Sequence, residues 1–506
     1  MNDFTIDEGD PTAPQAKESA KRNRRDERAL LLAGIEFWCT DDGTSHASLP
    51  HPKGHLEHVR IASRDFANHL RVKNLQTSGA GLSGNALADL VADAEAKALA
   101  SGDVRTAWRR YAVHQGEIWV DLGGRDPGGE RRAVRITAET WCIVPARDVP
   151  VSFLRGANAL PLPEPERGAA SWGDLGRFIN AGTNDDLALI WAWAPCAARP
   201  FEGRGQYPIL LLHGEQGSGK TEAARMLEAL VDPSQLTGRT MPRDPGDIWI
   251  SAGNRHLLSF DNLSTISGHF ADEIAPLATH GSYTKKKLYT NDEEWTVSAA
   301  RPLCFAGIPG TLLNRNDLAD RAIAIELRPL KERGDLAKLL REFQALRPAL
   351  LGLLYDALSA GLRNLPETKL ARGPRMFDSC LWAEACAPGL GIEPGVIPEA
   401  WIANRSQADS AALEADDVAG AVMRLLETQG KIGPAVWKGS ASDLLKRFKE
   451  SDPELVKAPH WPRSALALGV KLKRLAPSLR AIYRVDVSQG KEGPDGSRFW
   501  FLKKTL

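Results

Sequence analysis

Hydrophobic positions divide the chain into stretches of different period. Residues 1–28 contain almost none. A segment with so little to bury cannot offset its ordering entropy, so a mobile tail is expected there. Ala29 to about Leu154 has a mixed pattern. Ile35 to Pro50 reads as two strands around an Asp41–Asp42–Gly43 turn, and Ser83 to Gly102 carries apolar residues at helical spacing. Residues 116–124 and 131–144 alternate as strands do and are rich in β-branched and aromatic side chains.

Further along, short apolar runs take over. Pro208–His213, His256–Phe260, Arg301–Gly310 and Ala322–Leu327 have the length and continuity of buried parallel strands. Between the first two, Glu222–Leu230 is helical by the spacing of Ala223, Met226, Leu227 and Leu230. Asp335 to Asn364 has apolar residues three and four apart and predicts helices packing beside a core. The last ninety residues change character again, predicting three helices (418–427, 442–449, 464–475) and then two strands around the turn-rich 489–496.

Punctuation in the sequence separates these stretches. Leu160–Gly168 is a proline-rich connector, and a second change comes at Glu414–Asp417. The expected organisation is a tail (1–28), an α+β domain (29–159), an α/β core (160–332), a helical region packed on it (333–415) and a C-terminal module (416–506).

Composition narrows the classes. The 506 residues are 43% hydrophobic and 25% charged, which excludes collagen-like and wholly disordered chains. Lys+Arg and Asp+Glu are both 64, so any basic surface must be local. Six scattered cysteines without a CxxC pair give neither a zinc site nor a disulfide framework, as expected in a reducing cytoplasm. The most apolar run, Leu187–Ala198, is interrupted by Pro195 and is too short for a bilayer; the acidic first residues are unlike a signal peptide. His46, His51, His55 and His58 cluster in sequence. With no Cys partner and no helical HxxxH spacing, they read as surface-loop histidines rather than metal ligands.

The sharpest chemical signal is Gly214-Glu215-Gln216-Gly217-Ser218-Gly219-Lys220-Thr221, which fits G-x-x-x-x-G-K-[ST] between an apolar strand and a helix. Glycines let successive N–H groups turn toward a phosphate at a helix N-terminus. Lys220 supplies a point charge for the β- and γ-phosphates of ATP, and the Thr221 hydroxyl is a Mg²⁺ ligand. Such a loop needs an acid on a second strand, and Asp261 follows His256–Phe260. Asn262 comes next. An amide cannot accept a proton from water, so Asn262 could only orient one, and Glu215, Asp272 and Glu273 are candidates for a further carboxylate. Arg321, directly before the Ala322–Leu327 strand, is a candidate for reaching a neighbouring subunit's γ-phosphate; the alternative is an ion pair with Asp317 or Asp320.

The order of these pieces resembles the AAA+ core of superfamily-three helicases. It is closest in look to phage and mobile-element helicase-like ATPases and the helicase half of poxvirus-type primase-helicases. The residues that carry the likeness are 214–221, 259–264, 277–295, 301–308 and 317–327. The resemblance implies an α/β P-loop ATPase with Lys220 and Thr221 at the nucleotide, Asp261 as the metal-holding acid and Arg321 as the arginine finger. It also implies a homo-oligomeric ring, a hexamer in this family. Three departures stand out. The strand before the finger ends Phe305-Ala306-Gly307 where the family places a sensor Asn, Asn262 replaces a second acid, and the DNA-touching hairpin is acidic at 291–294 with its basic run, Lys285, Lys286 and Lys287, ahead of that stretch.

From Asp416 to Leu506 there are 17 Lys+Arg against 10 Asp+Glu in a chain that is neutral overall. The predicted layout of three helices and a hairpin resembles the winged-helix tails of phage-type helicases, with Lys471, Lys473 and Arg474 placed to meet phosphates. The sequence therefore reads as an ATP-dependent, cytoplasmic DNA motor on single-stranded DNA, serving replication of a phage or mobile element, with any primase a separate chain. A nucleotide-controlled switch or loader that does not unwind is the alternative, and a small-molecule kinase is a third reading that leaves the basic tail unexplained.

Overall fold

The computed structural model describes residues 26–125, 129–201, 205–263, 268–286, 294–307, 316–330, 334–414, 416–430, 435–455, 458, 461–492 and 497–505. The expected tail over residues 1–25, Lys287, Asn291 and the acidic Asp292 and Glu293 lie outside them. Residues 26–32 are helical. The chain divides into two compact units: Met1–Glu164 with Asp232–Gln235 and Asn254–His256, and the remainder.

In the first unit, β1 (Glu36–Cys39), β2 (Ser45–Pro50) and β3 (Leu56–Arg60) make an antiparallel sheet. The helices Arg64–Ser78 and Gly84–Ser101 accompany it. Each starts at a serine whose hydroxyl accepts a backbone N–H (Ser63, Ser83) and ends at a left-handed glycine (Gly79, Gly102). Leu31, Ile35, Phe66, Leu70, Leu90 and Ala94 are buried together in their core. Next come β4 (Ala107–Trp108), β5 (Tyr111–His114), β6 (Glu117–Arg125), β7 (Arg131–Ile136), β8 (Trp141–Pro145) and β9 (Ser152–Phe153). Of these, β5 to β8 form an antiparallel meander and β4 pairs with β9.

The histidines here depart from the surface-loop expectation, because two of them are in the interior. His46 and His55 are buried. His46 lies on β2 with its ring stacked 4.4 Å from Trp38 and its Nδ1 on the Thr44 carbonyl. His58 Nδ1 meets Ser48 Oγ at 2.9 Å. His51, His55 and Glu57 bring ligand atoms within 4.8 Å of one another. However, the His51 and His55 rings are stacked and Glu57 is already held by Arg131.

The second unit is built on a parallel sheet of β10 (Ile209–His213), β11 (Leu258–Leu263), β14 (Leu303–Gly307) and β15 (Ala322–Glu326), in the order β11-β14-β10-β15. Near-continuous burial along β10, β14 and β15 accounts for their uninterrupted apolar sequences. The helix Asn184–Ala197 is buried along most of its length, and Trp193 Nε1 donates to the Pro208 carbonyl just before β10. At the β15 edge, Asn404 from the helix Val396–Glu414 acts as a substitute strand: its Nδ2 donates to the Ala324 carbonyl and its Oδ1 accepts the Ala324 N–H. The helices Leu336–Asn364 and Phe377–Leu390 complete this layer.

A hairpin of β12 (Gly281–Lys286) and β13 (Glu294–Ala299) lies between β11 and β14 in the chain. Alternation puts Tyr283 and Val297 against the core, whereas Ser282 pairs with Ser298 and Thr284 with Thr296 through exposed hydroxyls.

After Glu414 the order is helix Asp417–Gly430, β16 (Val436–Gly439), helix Ala441–Ser451, helix Ala465–Tyr483, β17 (Val485–Glu492) and β18 (Ser497–Lys504). The antiparallel sheet β16-β18-β17 therefore has a third strand that was not expected. Among the described residues no helix is long and apolar enough to cross a membrane.

Candidate functional site: the loop after strand β10

The Gly214–Gly219 loop leaves the C-terminal end of β10 and runs straight into the helix Lys220–Val231. Three of its residues have positive φ: Gly214 (144°), Gly217 (84°) and Gly219 (82°). At Gly214 a Cβ would lie 2.4 Å from the Leu327 carbonyl oxygen, so the chain passes there only without a side chain. Ser218 is buried under the turn. Lys220 folds back over the loop, its Nζ donating to the carbonyls of Gly214 at 2.9 Å and Glu215 at 2.7 Å. Glu215, Gln216 and Gly217 form the exposed crest.

Because β14 lies between β10 and β11, the loop and the acid strand are two strand spacings apart, roughly 10 Å. Two side chains close that gap: Thr221 Oγ1 donates to Asp261 Oδ1 at 3.1 Å. The expectation that the strand ends before Asp261 needs correction, since β11 continues through Leu263 with a bulge. Phe260 pairs with Phe305 and Leu263 with Gly307, so β11 spends three steps where β14 spends two. Within the bulge Asn262 is left-handed (φ 56°) and its N–H donates to Asp261 Oδ1 at 2.7 Å. The Asp261 N–H turns away to the Arg239 carbonyl at 2.7 Å. The bulge thus re-aims the Asp261 carboxylate toward Thr221.

Gly307 makes the bulge possible. A Cβ there would sit 2.3 Å from the Leu263 carbonyl oxygen. This gives the Phe305-Ala306-Gly307 ending a physical reason, and Ala306 lies buried opposite Leu212, near the loop. Sequence reasoning missed Gly307 and Arg239, because a bulge is a property of register that no local motif announces.

Among the carboxylate candidates, Glu273 accepts from Trp249 Nε1 at 2.6 Å and is thereby tied to the core. Glu215 is exposed on the loop and Asp272 is exposed on the helix Gly268–Ala278. Sequence reasoning also missed Glu326, which pairs in register with His213 at the loop end of the sheet. Burial holds the His213 imidazole below its ordinary range.

Arg321 lies elsewhere. It precedes β15, and its carbonyl accepts the Ile209 N–H at the start of β10. The phosphate loop follows the other end of β10, five residues on and roughly 16 Å away. Asp320, one of its expected partners, is engaged by Arg375 and Arg405. The side chain of Asp317 lies outside the described residues.

The basic candidates are dispersed. Lys285 pairs with Asp244 at 2.8 Å, and Lys286 stands opposite Glu294 in the hairpin. Lys471, on the helix Ala465–Tyr483, forms an ion pair with Asp416, whereas Lys473 and Arg474 are on the exposed side of that helix with Leu466 and Val470.

A parallel sheet with a glycine-rich loop at the N-terminus of a helix and an acid two strands away is an α/β P-loop-like core. Two models of one family match consecutive parts of the chain: the actinomycete integrative conjugative element replication protein over residues 173–387, and the C-terminal domain of that replication protein, RepA, over residues 418–505. The chain belongs to this family of mobile-element replication proteins.

Among solved structures, it is similar to "SCCmec type IV Cch - active helicase" at 11% identity and TM-score 0.46, over 92% of each chain. It is also similar to the apo structure of the NrS-1 C-terminal region (305–718) at 11% identity and TM-score 0.40, over 94% of this chain and 98% of that one. Both likenesses are too distant to argue from. No curated protein matches the sequence significantly.

Proposed function

We propose that the protein is an ATP-dependent DNA helicase or translocase, working as a ring of six copies in replication of its mobile element. The carrying observation is the Thr221–Asp261 hydrogen bond beside Lys220, in a chain whose family is a replication protein.

The residues suit a nucleotide with its metal. Left-handed glycines open the loop's N–H groups, and two oxygen donors stand 3.1 Å apart beside it. A Mg²⁺ ion held by Thr221 and Asp261 would neutralise charge on the phosphates of bound ATP. Lys220 exchanges its two carbonyl partners for phosphate oxygens, and Asn262 orients water. A carboxylate at Glu215, Asp272 or Glu326 would take the proton.

Arg321 stands too far along the sheet to reach the loop of its own chain. In a ring it would be presented to the neighbour's loop, where a guanidinium stabilises charge developing on the γ-phosphate. DNA contact falls to Lys285, Lys286 and Lys287 and to the C-terminal module. The helix–strand–helix–helix–strand–strand order of that module supports reading it as a winged helix, which would turn Lys473 and Arg474 toward phosphates with Lys471 steadied by Asp416.

One observation favours a second reading, a nucleotide-controlled switch or loader. Asn262 offers only an amide, which cannot take a proton from water, and Ala306 offers no polar atom, so both positions where faster ATPases carry water-handling groups are muted here. Strand displacement separates the two: unwinding of a forked duplex that requires ATP supports the motor, and ATP-dependent assembly on DNA without unwinding supports the switch.

A further inference from the structure

His51, His55 and Glu57 lie on one face of the β2–β3 hairpin in the first unit. The turn is His51-Pro52-Lys53-Gly54, in which Gly54 is left-handed (φ 83°) and donates its N–H to the His51 carbonyl at 2.9 Å. The His51 N–H donates to the His55 carbonyl at 2.9 Å, continuing the register in which Pro50 faces Leu56 and Leu49 faces Glu57. Directly opposite residues of an antiparallel pair share a face, and so do residues two apart on one strand. Two imidazoles and a carboxylate therefore converge, with ligand atoms within 4.8 Å of one another. Spacing along the chain carried no metal signature because the set is assembled across a turn.

His55 gives an independent sign of a ligand. It is 1% exposed, and neither ring nitrogen has a hydrogen-bond partner among the described residues. Its Nε2 stops 3.6 Å from Glu57 Oε1, too long for a hydrogen bond. Burial, with His51 alongside, pushes this imidazole below its ordinary range, so at pH 7 the ring is neutral and carries a lone pair. A buried imidazole with both nitrogens unused is an anomaly in a fold, and a cation at the lone pair satisfies one of them.

The other contacts of the set are compatible with an ion. The two rings stack 4.2 Å apart. Ligand atoms about 2.0–2.1 Å from a tetrahedral ion lie roughly 3.4 Å from one another, so side-chain rotations of about an ångström close the set. The Lys53 N–H reaches His51 Nδ1 at 3.2 Å, a long contact that an ion at the same lone pair replaces. Arg131 Nε meets Glu57 Oε1 at 3.0 Å, and a carboxylate has lone pairs for both an arginine and an ion. Arg131 also donates to the Gly123 carbonyl, so it orients Glu57 from behind.

We propose that His51, His55 and Glu57 bind a divalent transition ion of the zinc class, with solvent in the fourth position, and that the ion clips the end of the β2–β3 hairpin. Two imidazoles beside one carboxylate favour such an ion over Mg²⁺, which takes oxygen ligands. Because the set exists only in the folded hairpin, binding adds to the stability of the first unit.

The test uses the full, tag-free chain carrying Asp261→Asn, which removes the oxygen pair beside the phosphate loop as a competing site. After chelation and desalting, Co²⁺ is titrated by its visible absorption and then displaced by Zn²⁺. One equivalent with the intense bands of a four-coordinate ion is expected, together with a raised melting temperature. His51→Ala, His55→Gln and Glu57→Gln should each weaken Zn²⁺ binding roughly tenfold or more. If the buried His55→Gln variant does not melt cooperatively, the two partly exposed positions carry the test. No saturable binding to the parent, or binding that His51→Ala and Glu57→Gln leave unchanged, overturns the site. Binding without a rise in melting temperature overturns the clip.

Discussion

Thr221 Oγ1 and Asp261 Oδ1, forty residues apart in the chain, meet at 3.1 Å across an intervening strand. That contact turns a local glycine-rich motif into a site, because it places two oxygen donors beside the loop's N–H groups. Thr221→Ala should raise the Mg²⁺ concentration needed for half-maximal ATP turnover by roughly tenfold or more. Asp261→Asn should cut turnover by at least about a hundredfold, with the fold intact. A Mg²⁺ titration of ATPase rate checks both, and unchanged profiles would detach the pair from the metal.

Gly307 supports that geometry from the next strand. A methyl at this position collides with the Leu263 carbonyl, so Gly307→Ala should displace the bulge and with it Asp261. The expected result is a loss of several kcal/mol in stability, about 1–3 from overpacking and more from the broken pairing, with ATP turnover lowered beyond the effect on folded fraction. Chemical denaturation read beside activity per folded molecule separates the two effects.

Subunit mixing tests the placement of Arg321. Arg321→Ala should lower ATPase activity about a thousandfold. Mixed with Lys220→Ala copies it should recover part of the rate, since some interfaces then join an intact loop to an intact arginine. A mixture no faster than the sum of its parts would contradict a site shared between copies.

Two histidines of the first unit make stability pH-dependent. His46 and His58 titrate near 4 in the fold, chiefly because burial disfavours their charged forms, against about 6.5 in an unfolded chain. The unfolded chain therefore binds more protons over this range. Their contribution is complete above about pH 6.5, is lost as pH falls toward 4, and levels off below that. Each histidine should account for about 1.4 kcal/mol per pH unit inside the window. Denaturation midpoints of the parent and of His46→Phe/His58→Gln between pH 7 and pH 4 check this, with a shallower decline expected for the variant.

Much of the core was legible because its signals are local. Continuous apolar runs gave β10, β14 and β15, and the spacing from Gly214 to Thr221 gave the loop and its helix. What escaped depends on pairing and distant contact. The Asp261–Asn262 bulge follows from the register of β11 on β14. Strand β16 is four residues long and follows a Gly–Pro segment, so its alternation is too brief to read. His46 looked like a loop residue because its burial comes from Trp38, eight residues earlier on a partner strand. The assignment of Asp232–Gln235 and Asn254–His256 to the first unit has no sequence signal at all.

The most direct test of the central claim is the steady-state ATPase rate of the purified protein, with and without single-stranded DNA, beside Lys220→Ala. Turnover that DNA stimulates severalfold and that Lys220→Ala abolishes is the result predicted for a DNA motor. Turnover that persists in Lys220→Ala would contradict the site, and negligible turnover indifferent to DNA would contradict the motor.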